Sequence, residues 1–147
     1  TGTEGSAGAS GMKAPAIIDT NVIVAGLLTN QADAPTALIL DGMLAAAFPF
    51  VISSALLAEY RDVLGRAKLR KLHGLSLDEI EALVVELAQH AIVLQPVAAP
   101  KAPDPGDQHL WDLLAVRDDL ILVTGDKRLL ESDMPSRMRT PSQFLAE

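Results

Sequence analysis

The chain has 147 residues, a formal net charge of −7, 49% hydrophobic residues, 3% aromatics and no cysteine. That length and apolar content suit one compact domain with a sizeable core, and no apolar run approaches the roughly 20 residues of a membrane span. The lack of cysteine excludes disulfides, thiolate zinc sites and cysteine nucleophiles, and it fits a cytoplasmic protein.

Residues 1–11 are Gly, Ser, Ala and Thr with one Glu. They read as a disordered expression-tag remnant ahead of a single domain over residues 12–147. The run Ala16-Ile17-Ile18 predicts a buried strand, stopped by Asp19-Thr20-Asn21. A short helix is expected over 22–28, and Pro35 opens a second one reaching residue 46. Residues 48–52 predict a second strand, with Ser53-Ser54 as its polar stop and a helix N-cap signal. The helix over 55–67 carries Leu56, Leu57, Tyr60, Val63 and Leu64 on one stripe. Ser76-Leu77-Asp78-Glu79 is a capping box that opens the next helix. A third strand follows at 92–94, a Pro- and Ala-rich loop at 96–105, and a helix at 107–116. Leu120 to Val123 form a fourth strand ended by Thr124-Gly125-Asp126, before a short helix at 127–131 and a docked turn at 141–145. Strands alternating with helices predict an α/β fold with a mostly parallel sheet and helices on both faces.

In such sheets chemistry gathers beyond the carboxyl ends of the strands. Asp19 and Asp126 sit at two of those ends. As neighbours they would share one edge, although each also suits a helix N-cap. Glu59 falls beside the apolar stripe of its helix, whereas Arg61 and Asp62 turn toward solvent. Asp107, Leu110, Trp111 and Leu114 are spaced to share one helix face. A carboxylate on a buried face is costly unless paired or bound to metal. Asp104, just upstream, is a further candidate. Four oxygen-donating carboxylates without cysteine suit one or two Mg²⁺ or Mn²⁺ ions and argue against zinc. Such ions support in-line displacement at a phosphodiester. Thr20, Asn21, Ser53 and Thr124 are placed to orient the acids or to cap helices.

Four segments, Ile17-Ile18-Asp19-Thr20-Asn21-Val22, residues 51–60, residues 104–115 and residues 122–130 around Thr124-Gly125-Asp126-Lys127-Arg128, together resemble the PIN domain. The resemblance is nearest to the bacterial subgroup of toxin–antitoxin toxin components, relatives of VapC-type ribonucleases. It implies a three-layer α/β/α sandwich and a metal-dependent endoribonuclease. It assigns the four acids to Asp19, Glu59, Asp107 and Asp126, with Asn21 auxiliary. Asp104 or Asp112 are the alternatives for the third acid. It further implies an RNA substrate, a homodimer or higher homo-oligomer, and a cognate antitoxin protein.

An acidic chain is not the usual footprint of a nucleic-acid binder, and few aromatics disfavour base stacking. The basic residues are nevertheless concentrated. Arg61, Arg66, Lys68, Arg70, Lys71 and His73 lie in one segment, and Lys127 and Arg128 follow Asp126. They read either as a phosphate-backbone track or as an ordinary solvated face. The alternative function is a weakly active or inactive PIN-fold module that binds protein. A receiver-like phosphoacceptor domain fits less well, because strands two and three do not end in an aspartate.

Overall fold

The computed structural model of the protein describes residues 14–147. The segment read as a tag remnant lies outside the described residues.

Five strands form one sheet: β1 (Ala16–Ile18), β2 (Phe50–Ile52), β3 (Ile92–Val93), β4 (Ile121–Val123) and β5 (Met138–Arg139). Their order is β3-β2-β1-β4-β5 and every pairing is parallel. The three central strands are short uninterrupted apolar runs because both faces of a parallel sheet are covered. The connections carry the cover: α1 (Thr20–Leu28), α2 (Pro35–Leu44), α3 (Ser54–Leu64), α4 (Ala67–His73), α5 (Leu77–His90), α6 (Gln108–Leu114), α7 (Lys127–Leu130) and α8 (Pro141–Ala146). The result is the predicted α/β/α sandwich.

Three departures from the expected elements bear on the site. First, the helix expected through residue 67 stops at Leu64. Gly65 takes the C-cap position and its N–H bonds back to Arg61 O and Val63 O. The basic residues from Lys68 onward therefore sit on a separate helix. Second, the helix expected from 107 begins at Gln108. A 3₁₀ turn, Pro105–Asp107, precedes it, because Asp104 Oδ1 accepts from Gly106 N (2.8 Å) and tightens the chain there. Third, the tail adds β5, a strand too short for any alternation to announce it.

The end of β1 is braced from α3. Tyr60 is fully buried, and its hydroxyl donates to the carbonyl of Ile18. Tyr60→Phe leaves that carbonyl unpaired in the core. It should cost about 1–3 kcal/mol in urea unfolding, with the fold retained. A second brace holds α6. The Arg137 guanidinium donates to Leu114 O (2.7 Å), Leu120 O (3.0 Å) and Arg117 O (2.6 Å). It thereby satisfies the Leu114 carbonyl at the end of α6 and ties it to two carbonyls of the connection to β4.

Candidate active site

The chain leaves β1 toward β2 on one side and reaches β4 on the other. The carboxyl ends of β1 and β4 thus flank the crevice where an open α/β sheet binds its ligands. Ile18 pairs with Val123, and Asp19 N donates to Val123 O at 2.9 Å. Asp19 is consequently the first residue beyond the sheet, at its centre.

Asp19 caps α1 and is held for chemistry at the same time. Its Oδ1 accepts from Thr20 N (2.8 Å), the first N–H of α1. Its Oδ2 accepts from Thr124 Oγ1 (2.8 Å) and Asn21 Nδ2 (3.3 Å). Asn21 in turn accepts from Gly125 N (3.0 Å), tying the β1 end to the β4 end. Asp19 is only 7% exposed, and burial pushes its pKa up to about 6. Thr124 and Thr20 pull it down by hydrogen bonding, while the charges of Glu59 and Asp107 add to the rise.

The other acids arrive from three further elements. Glu59 reaches the cleft from α3, and Thr20 Oγ1 donates to its Oε2. Asp107 comes from the 3₁₀ turn. Burial raises its pKa first, helped by the charges of Asp104 and Asp126 and opposed by Arg128. Asp126 caps α7 by accepting from Arg128 N (2.9 Å). The Arg128 guanidinium, 3.0 Å from its other oxygen, lowers its pKa. Asp19, Glu59, Asp107 and Asp126 all line one cleft of about 590 Å³ with Thr20, Asn21 and an aliphatic wall that includes Val24, Leu28 and Val63.

The PIN domain family model matches residues 15–128, which hold all four acids. The chain belongs to the PIN domain family. A comparison with curated proteins found no match.

PIN domains are generally nucleases and usually use divalent metal ions. The donors in this PIN domain fit that use: they are carboxylate oxygens, the hard ligands that Mg²⁺ and Mn²⁺ prefer. Two of them, Asp19 and Asp107, carry pKa values raised partly by their acidic neighbours, a strain that a cation relieves. Among the described residues, no three His, Asp or Glu side chains are yet gathered into a ready-made cation site. Arg128 holds Asp126 and also reaches Asp104 Oδ2 at 3.4 Å, so part of the donor set is engaged by a guanidinium.

The remaining residues singled out in the sequence divide clearly. Ser53 is fully buried and caps α3 by accepting from Leu56 N (3.1 Å), away from the cleft. Asp104 caps the 3₁₀ turn. Asp112 accepts from Ala99 N (3.2 Å) and Gln108 Nε2 (3.0 Å), fastening the Pro-rich loop to α6. Of the candidates for the third acid, Asp107 lines the cleft, and neither Asp104 nor Asp112 does. Arg61 faces Glu81 of α5 at 2.7 Å, and Arg66 pairs with Asp62 at 3.1 Å while lining the cleft. Lys68, Lys71 and Lys127 are exposed, and Arg70 is half-buried. His73 bridges Leu64 O and Leu75 N, joining α3 to the turn after α4.

One residue of the site escaped the sequence reading. His109 Nε2 lies 3.1 Å from Glu59 Oε1. Helical spacing puts His109 off the stripe of Leu110, Trp111 and Leu114, and that off-stripe side is where Glu59 lies. No local signal announces it, because its contact is 50 residues away in the chain.

Proposed function

We propose that this PIN domain is a divalent-metal-dependent endoribonuclease that hydrolyses RNA phosphodiesters, as the toxin of a bacterial toxin–antitoxin pair. The observation that carries the reading is the convergence of Asp19, Glu59, Asp107 and Asp126 on one cleft from four separate elements. A bound Mg²⁺ or Mn²⁺, one or two ions, would supply an activated water and neutralise charge developing on the phosphate. Asp19 is the central ligand, fixed by Thr124, Thr20 and Asn21 so that its orientation needs no rearrangement. Glu59, Asp107 and Asp126 complete the donor set.

Substrate phosphates would meet Arg66 at the cleft rim, with Lys68 and Lys71 beyond it on α4 and Lys127 beside Asp126. Arg61, Arg66 and Arg128 each already hold a carboxylate, and of the three only Arg66 lines the cleft. The aliphatic wall gives a base somewhere to rest without stacking on an aromatic ring. A homodimer and a cognate antitoxin covering the cleft belong to this reading on the strength of the subgroup resemblance alone. Cytoplasmic action is in keeping with it: among the described residues no helix is long and apolar enough to cross a membrane.

The test is single-stranded RNA incubated with purified protein and Mn²⁺ or Mg²⁺. Cleavage should appear with the ion and vanish with chelator. Absence of cleavage under all these conditions would overturn the nuclease reading. Growth arrest on expression, relieved by the product of the adjacent reading frame, tests the toxin role.

A further inference from the structure

The carboxylate of Glu59 is gripped at both oxygens by side chains from two other helices. Thr20 of α1 donates to Oε2, and His109 of α6 approaches Oε1 at 3.1 Å. The imidazole is mostly buried, and its second nitrogen, Nδ1, has no hydrogen-bond partner. A buried ring nitrogen without a partner is a cost to the fold. The contact with Glu59 is what this ring has to offset it. The carboxylate can only accept, and nothing beside Nδ1 accepts, so the ring proton is assigned to Nε2.

We propose that His109 is a positioning residue that aims Glu59 into the cleft for divalent-cation binding. This rests on the metal-dependent reading above. Each carboxylate oxygen has two acceptor directions. Thr20 and His109 take one on each oxygen and leave one on each for an ion. Without His109 the Glu59 side chain regains its rotamers, and part of the binding free energy is spent on ordering it again. Removing such a partner of a metal ligand typically costs 10- to 100-fold in affinity.

The experiment is Mn²⁺ titration of the full-length protein by calorimetry at one fixed pH, without RNA. Three variants are compared with the wild type: His109→Leu, His109→Gln and His109→Asn. A Gln amide nitrogen reaches the place of Nε2, whereas the shorter Asn amide reaches only that of Nδ1. His109→Leu and His109→Asn should bind Mn²⁺ about tenfold more weakly, and His109→Gln should stay close to the wild type. Melting temperatures in chelator should not follow that order, because Leu also removes the orphaned nitrogen. In RNA cleavage, the weaker variants should lose rate at limiting Mn²⁺ and regain it at saturating Mn²⁺.

Equal Mn²⁺ affinity in wild type and His109→Leu would overturn the proposal while leaving the metal site intact. Gln and Asn behaving alike would overturn it too, and that comparison stands even where the Leu variant fails to fold. A wild type that binds no Mn²⁺ would overturn both this proposal and the metal-dependent reading.

Discussion

Asp19→Asn should abolish RNA cleavage and at the same time stabilise the chelated protein at neutral pH by up to about 3 kcal/mol. The second half follows from burial. Asp19 is nearly inaccessible, and its pKa stands at about 6 against an ordinary value of 3.8. The folded protein therefore holds this proton more tightly than the unfolded chain does. The associated stability is full below about pH 4, is lost as pH rises toward 6, and stays lost above it. The difference between the two values corresponds to about 3 kcal/mol. Asparagine has no charge to desolvate and can still accept from Thr20 N as the cap. Urea unfolding of both proteins in chelator from pH 4 to 8 checks this: the wild type should fall relative to the variant across pH 4–6. Asp107 and Asp126 titrate in both proteins, so their contributions largely cancel in the difference. Added Mn²⁺ should narrow the gap at neutral pH, because a cation offsets the charge that Asn lacks.

Phe144→Ala should destabilise the domain by about 3–5 kcal/mol, a large share of the stability of a domain of this size. Phe144 lies beyond the residues 15–128 that match the family, yet it is fully buried. Its ring packs edge-on against Phe48 with centroids 5.0 Å apart, and Phe48 stands 6.1 Å from Phe50 of β2. Three of the few aromatic rings thus lock α8 to the root of a central strand. α8 is also well started, by a reciprocal capping box between Thr140 and Gln143. Thermal unfolding followed by circular dichroism gives the measurement. A loss below 1 kcal/mol would mean that the tail only decorates a core complete without it.

These features differ in how far the sequence announces them. Asp19 and Asp126 are legible because a buried parallel strand is a plain apolar run, and a carboxylate at its end stands out. Glu59 is legible through helical spacing alone. Asp107 is legible as an acid opening a helix, although it closes the 3₁₀ turn and stands at the N-cap of α6, one residue outside the helix. His109 is not legible, because it stands off the apolar stripe and its contact, Glu59, is 50 residues away. Gly65 is a local stop signal, but the good helix formers Ala67, Lys68 and Leu69 that follow it also fit one continuous helix, so spacing alone does not place the break. β5 was missed because a two-residue strand is made by its partner, β4, and not by its own sequence. The pairing of Arg61 with Glu81, 20 residues on, is a tertiary fact that no spacing rule contains, whereas Arg66 with Asp62 is an i,i+4 pair.

The sheet order has a consequence in time. Thr124, which fixes the central acid, lies 105 residues after Asp19, though the two side chains touch. During synthesis Asp19 and Glu59 emerge before β4 and Asp126. Until β4 lies beside β1, Asp126 and Thr124 are not at the edge where Asp19 stands, so the four-acid cleft cannot assemble piecemeal. Any opening of that one strand pair dismantles the cleft, while Asp19 and Glu59 keep their own elements.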